Sequence, residues 1–207
     1  MTSAPRSSPL ALTVLSLLAY RPLHPYGIQR LIKQWGKDQV VNVSQRASLY
    51  RTIERLHSAG LIAVRETGRD QLYPERTVYE LTAAGRETAH SWMLEMLGTP
   101  RQEYPEFPAA LSYLMLLEPE EIAEALGRRA DALERSLASA EAARQAQQQS
   151  GLPRIVSLED EYLHTMAAAE LRWVRSVLTD LREGRLAWSP EELLARAADM
   201  EAAEGTG

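Results

Sequence analysis

The chain contains no cysteine among its 207 residues. That absence excludes disulfide staples, thiolate nucleophiles and every zinc site built on cysteine, and it fits a reducing compartment. There is no HExxH motif and no glycine loop of the kind that cradles phosphates. His24, His57, His90 and His164 have no partners at ligand spacing, and the Glu pairs at 120–121 and 191–192 fall where helix starts favour negative charge. No catalytic residue, metal or cofactor is therefore expected. The opening apolar run, Ser8 to Tyr20, follows Arg6 in the manner of a signal segment but is too short to span a bilayer. Ser8 as a cap with Pro9 at the first helical position, followed at once by further helix-like segments, favours an ordinary buried first helix. The sequon Asn42-Val43-Ser44 then has no role, because glycosylation requires secretion. The expected setting is the cytoplasm, with no membrane association.

The chain also lacks a net positive charge, standing at -5. Residues 1–98 nevertheless hold 12 Lys/Arg against 8 Asp/Glu, whereas residues 99–207 hold 11 against 20. A mildly basic front half can face phosphates while an acidic rear half keeps the protein soluble and points away from them. Chance imbalance between two solvated surfaces would give the same numbers.

What is present is a globular composition, 45% apolar and 25% charged, over a length that suits one domain or two small ones. The first helix is expected over about 9–20 with Leu10, Val14, Leu17 and Leu18 inward, ended by Arg21-Pro22. His24-Pro25 opens a second, with Leu31, Ile32 and Trp35 buried and Gly36 as a left-handed terminator. Residues 37–43 connect to Ser44, the expected N-cap of a third helix reaching Ala59. There Leu49, Ile53 and Leu56 share an inner face, leaving Arg46, Ser48, Tyr50, Arg51 and Arg55 largely on the other sides.

After Gly60 the period changes. Residues 62–66 and 77–81 read as strands joined by ten residues, Thr67 to Arg76, with a basic tip. Helix, turn, helix and hairpin in this order form the winged version of a DNA-binding module. Thr82 should cap a fourth helix to about Leu97, and the three prolines between Gly98 and Pro108 mark a boundary, giving domains 1–98 and 99–207. Beyond it the pattern is helical: an apolar segment at 109–117, a long helix from Pro119 to about Gln149 with Ile122, Leu126, Leu133 and Leu137 inward, another from Leu158 to about Glu183, and a start signal at Ser189-Pro190-Glu191-Glu192. The fold class is thus mainly α, a winged helix-turn-helix with a two-stranded wing followed by an all-helical domain.

The helix from Leu158 carries two adjacent apolar stripes. One is Leu158, Tyr162, Met166, Ala169, Trp173 and Val177; the other is Leu163, Ala167, Leu171, Val174, Leu178 and Leu181. So broad a face suits a helix serving both a core and a subunit interface, and hence a homodimer. A helix at the centre of a monomeric bundle is the other arrangement with the same pattern.

Several motifs together carry a family resemblance: Leu-Leu-Ala-Tyr-Arg-Pro-Leu-His-Pro-Tyr-Gly-Ile at 17–28, Ser-Leu-Tyr-Arg-Thr-Ile-Glu-Arg-Leu at 48–56 followed by Gly60-Leu61-Ile62, and Arg76, Tyr79, Leu81-Thr82 and Gly85. Over roughly residues 9–97 the chain resembles the PadR family of bacterial transcriptional regulators, and its rear half is similar to the family's longer C-terminal helical domain. The resemblance implies a repressor that binds double-stranded operator DNA, an inverted repeat, as a homodimer. It also implies that Ser48-Leu49-Tyr50 opens the recognition helix, that Gly60 ends it, and that Arg76 and Tyr79 belong to the wing. His24-Pro25-Tyr26-Gly27 departs from the usual His-Gly-Tyr-Glu, and the wing is longer than the short family form.

The expected DNA-facing set is Arg46, Ser48, Tyr50, Arg51 and Arg55 on the third helix with Arg69 and Arg76 in the wing. Arginine forks fit guanine edges or phosphates, and hydroxyls donate to either. Solvated arginines, or wing arginines paired with Asp70 or Glu75, are the plainer explanation. The resemblance also allows a small aromatic or amphipathic effector, for which Trp92, Met96, Tyr113 and Trp173 near the boundary are the candidates, although core packing explains them equally. A winged-helix scaffold that binds protein instead of DNA is the competing function.

Overall fold

The computed structural model describes residues 6–43, 45–68, 76–149, 151, 153–186 and 188, with the main chain alone for residues 46, 67, 68, 76 and 146–149. Two compact units, residues 1–102 and 103–207, divide it.

In the first unit, α1 (Pro9–Tyr20) starts as its sequence dictates: Ser8 Oγ accepts from the Ala11 N–H at 3.2 Å with Pro9 at the first position. Ala11, Val14, Leu15, Leu17 and Leu18 are all buried, so the apolar opening run is core. Leu15 joins the expected face, whereas Leu10 is only partly buried against it. In α2 (Pro25–Gln34) the cap is the imidazole of His24, whose Nδ1 accepts from the Gly27 N–H at 2.9 Å. Ile28, Leu31 and Ile32 are buried, but Trp35 is not: it is 44% exposed and lies edge-on to Tyr20. The expected burial of Trp35 fails because it is the C-cap, outside the helical period that turns Leu31 and Ile32 inward. Gly36 follows at φ 66°, as a left-handed terminator requires.

A short 3-10 turn at Lys37–Gln39 and the buried Val41 and Val43 lead into α3 (Arg46–Ser58). Its cap residue is Gln45, which makes no side-chain capping bond. The expected Ser44 cap is thereby corrected, the chain entering the helix one residue later, and Ser44 itself lies outside the described residues. Leu49, Ile53 and Leu56 are 2% exposed or less, and each such burial contributes about 1.5–3 kcal/mol. Thr52 completes this inner face at 7% exposure.

Strands β1 (Ile62–Gly68) and β2 (Arg76–Leu81) pair antiparallel from Ile62↔Leu81 to Gly68↔Arg76, with a bulge between Val64 and Glu66. The first strand runs two residues past its expected end at Glu66, because the bulge resets the register and lets Thr67 and Gly68 pair with Thr77 and Arg76. Leu23 makes an isolated bridge to Tyr79 on the far side of β2. Helix α4 (Ala83–Gly98) is capped by Thr82, whose Oγ1 accepts from the Gly85 N–H at 3.0 Å. Its Ala89 and Trp92 close the first core.

The second unit begins with α5 (Glu106–Leu111) and a 3-10 turn at Leu114–Leu116. The expected continuous helical segment at 109–117 is therefore corrected. Pro105 caps α5, starting it inside the anticipated linker, and Ser112 stops it, its N–H and hydroxyl both donating to the Pro108 carbonyl. The long α6 (Pro119–Gln149) opens with Glu120 and Glu121 in its first turn, and the Glu118 N–H donates to Glu121 Oε2. Gly151 at φ 69° and a 3-10 turn at Arg154–Val156 precede α7 (Leu158–Arg182). The core here is Ile122, Leu126 and Ala130 of α6 against Leu171, Val174 and Leu178 of α7, with Leu133, Leu137 and Leu181 at its margin. Residues 189–192 lie outside the described residues, where the last expected helix start falls. Among the described residues no helix is long and apolar enough to cross a membrane.

Candidate nucleic-acid interface and effector cleft

Anchored by its inner face, α3 turns Ala47, Tyr50, Arg51, Glu54 and Arg55 outward as one exposed stripe. The spacing of three and four residues makes this unavoidable: once 49, 53 and 56 face the core, 47, 50–51 and 54–55 face water. Tyr50 is 52% exposed, so its ring is not packed away. Arg51 is exposed, and its Nε donates to the Ala47 carbonyl at 3.2 Å, which holds the guanidinium along the helix. Ser48 is half-buried at the margin of the stripe, and Arg55 is exposed. Arg46 opens the helix, and its side chain is not among those described.

Two features were missed from sequence. Ala47 sits between the polar positions and is small enough to let a groove approach the helix, whereas Glu54 places a negative charge beside Arg51 and Arg55. The period could have shown both. The first turn of α3 also carries no acidic residue, so its positive dipole end suits a phosphate.

In the wing, the main chain of Arg76 pairs with Gly68, while the Arg76 side chain and all of Arg69, Asp70 and Glu75 lie outside what is described. Arg65, at the bulge, is exposed and stands 3.9 Å from Glu66 and 4.0 Å from Glu80, so its charge is partly offset.

The effector candidates divide between the units. Trp92 packs into the first core and Met96 is half-buried on α4. In the second unit Tyr113 is 67% exposed after α5, and Trp173 lines a cleft of about 350 Å³ with Pro105, Phe107, Pro108, Leu111, Arg129 and Glu170. The Phe107 and Trp173 rings meet edge to face, 6.1 Å apart at 80°. The Arg129 guanidinium lies 3.5 Å from the centre of the Phe107 ring, and its Nε donates to Glu170 Oε1. Leu111, Arg129 and Glu170 were not anticipated, because three helices far apart in sequence bring them together.

Among the described residues no three His, Asp or Glu side chains cluster as a metal site would require. The chemistry on view is that of recognition: a polar helical stripe beside a hairpin, and an apolar cleft with one ion pair.

No curated protein sequence shows significant similarity to this chain. Among solved structures, the chain is similar to Bacillus subtilis PadR in complex with operator DNA, at 18% identity and TM-score 0.69, covering 84% of this chain and 99% of that one. It is similar to the same protein in complex with p-coumaric acid, at 16% identity and TM-score 0.64, covering 86% and 99%. The Vibrio cholerae virulence activator AphA also matches, at 18% identity and TM-score 0.63, covering 84% and 98%. At such identities these likenesses speak for the fold: a helical front with a hairpin wing, then an all-helical rear. The sequence itself, over residues 14–91, matches the model of the transcriptional regulator PadR-like family, and the wing, the anchored α3 and the helical second unit agree with the fold of these structures.

Proposed function

We propose that this protein is a cytoplasmic repressor that reads an inverted-repeat operator as a homodimer and is released by a small aromatic or amphipathic effector. The observation that carries DNA reading is the α3 stripe, with Tyr50, Arg51 and Arg55 exposed on a helix whose opposite face is fixed by Leu49, Ile53 and Leu56. Rigid presentation matters, because a base-reading side chain must be placed before it binds if it is to discriminate. Arg46 and Ser48 flank the stripe, and Arg69 and Arg76 give the wing two cations suited to phosphate or minor-groove contact. A relative of the same fold was crystallised with operator DNA and with p-coumaric acid, which supports both halves of the reading.

Dimerisation draws on the outer stripe of α7, where Leu158, Tyr162 and Met166 are between 42% and 64% exposed. A second copy covers such a face most economically, since a two-fold partner presents the same apolar stripe in return. Two recognition helices about one turn of DNA apart, roughly 34 Å, then fit an inverted repeat.

Arg51→Ala tests the reading. Operator affinity should fall by about 1–3 kcal/mol per half-site while affinity for random duplex changes little. Fluorescence anisotropy at several salt concentrations reads both. An Arg51→Ala protein that melts like the parent and binds both duplexes equally well would show that α3 does not read DNA, and a protein-binding scaffold would be the better account.

A further inference from the structure

The cleft of the second unit is narrow in what it can accept, and that narrowness comes from its charges. Phe107, Leu111 and Trp173 provide apolar walls, and its volume of about 350 Å³ has room for one or two fused rings. Its polar floor is a single ion pair, Arg129 with Glu170, whose side chains are 37% and 32% exposed. The pair engages only the guanidinium Nε and one carboxylate oxygen. The Nη groups and the second oxygen are thus left for another partner, a donor-rich edge beside an acceptor.

The floor carries no net charge. A ligand carboxylate would compete with Glu170 for Arg129 and face its repulsion, and a ligand cation would compete with Arg129 in the same way. A hydroxyl suffers neither penalty, because it donates to the carboxylate and accepts from the guanidinium without separating them. Phe107 is already clasped, with Arg129 over its face and Trp173 at its edge, so a flat ring entering beside them meets aromatic surface at preset geometry.

We propose that this cleft binds an uncharged, flat aromatic molecule bearing a hydroxyl group, held by the Arg129–Glu170 pair between Phe107, Leu111 and Trp173. The proposal rests on the effector reading above and gives it a place and a ligand class.

The test uses the full-length protein and two matched probes, 2-naphthol and 2-naphthoate, titrated calorimetrically near neutral pH, where the first is neutral and the second anionic. In the parent, 2-naphthol should bind saturably, one per chain, at least about tenfold more tightly than 2-naphthoate. Glu170→Gln keeps the shape but leaves the Arg129 charge uncompensated, so the order should shift toward 2-naphthoate, again by about tenfold. Leu111→Trp fills the cleft and should abolish 2-naphthol binding. Circular dichroism melting confirms that both variants fold. The proposal is overturned if the parent binds neither probe, if it prefers 2-naphthoate, if Glu170→Gln leaves the order unchanged, or if Leu111→Trp binds 2-naphthol as the parent does. Operator affinity measured with saturating 2-naphthol separates this from the effector reading. Binding at the cleft without any change in operator affinity supports the site and overturns the effector role. Release from the operator by 2-naphthol in parent and Leu111→Trp alike overturns the site and leaves the effector role standing.

Discussion

The main chains of Leu23 and Tyr79 exchange two hydrogen bonds, Leu23 N–H to the Tyr79 carbonyl at 3.0 Å and Tyr79 N–H to the Leu23 carbonyl at 2.9 Å. The link between α1 and α2 therefore acts as a third short strand against the free edge of β2, so the wing is fastened to the helices it serves. Leu23 is buried, and the Tyr79 ring lies edge-on to His57 at the end of α3. One pair thus ties the loop before α2, the last turn of α3 and the wing into a single body. Leu23→Ala should cost about 2–5 kcal/mol through the cavity it leaves, seen as a lower melting temperature. Amide exchange at Tyr79 should quicken more than the global loss requires, because the bridge opens first. If Tyr79 exchange tracks only global unfolding, the bridge does not fasten the wing.

Gly85 and Gly127 should respond with opposite signs to the same substitution. A Cβ on Gly85 would overlap the carbonyl oxygen of Leu61, an atom held in place by the Thr82 N–H and hydroxyl. Backbone cannot yield as a flexible side chain does, so Gly85→Ala should destabilise by about 3 kcal/mol or more. Gly127 lies inside α6 with nothing within 4 Å of its added Cβ, so Gly127→Ala should stabilise by about 0.5–1 kcal/mol through lower unfolded-state entropy. Urea denaturation of both variants checks the two signs together.

Arg154 donates to Glu161 through Nε at 3.0 Å and Nη2 at 2.6 Å, clasping the 3-10 turn to the first turn of α7. The hydrogen bond from Arg154, and after it the positive charge, hold the Glu161 carboxyl below its ordinary value. A carboxyl depressed in the folded state contributes stability above its unfolded value, and that contribution is lost as pH falls through the folded one. Glu161→Gln should therefore melt below the parent near neutral pH, and the two should converge in acid below the ordinary carboxylate range. The difference is small, since both groups face solvent, and added salt should shrink it. A gap that persists unchanged in acid would mean that the clasp is not electrostatic.

Met166 stands 52% exposed in the outer stripe of α7. Met166→Lys should convert the dimer to a monomer with little change in the helix content of each chain, because the inner stripe of Leu171, Val174 and Leu178 is untouched. Light scattering reads the mass, with Arg128→Glu on the exposed side of α6 as a control that stays dimeric. Operator affinity should fall in step with dissociation, since the two half-sites no longer act together. A Met166→Lys protein that remains dimeric places the interface elsewhere.

Local order is the part of this protein written directly in its sequence. The Ser8 and Thr82 caps, the left-handed Gly36, the inner face of Leu49, Ile53 and Leu56, and the pairing of two strands all follow from rules acting over four residues or fewer, or across one hairpin. The exposed polar stripe of α3 was legible for the same reason, as the complement of a buried period. Tertiary structure alone decided the rest. It left Trp35 half outside, broke the apolar segment after Leu111, set the bulge that lengthens β1, and separated the two stripes of α7 into one that fills a core and one that does not. Trp173 was a candidate from sequence, but its meeting with Phe107, Arg129 and Glu170 in one cleft belongs to this second class. Its residues lie on three helices with no shared period, and whether an arginine meets a carboxylate or water depends on where packing puts two helix axes. That is a property of the assembled core, which no single segment encodes.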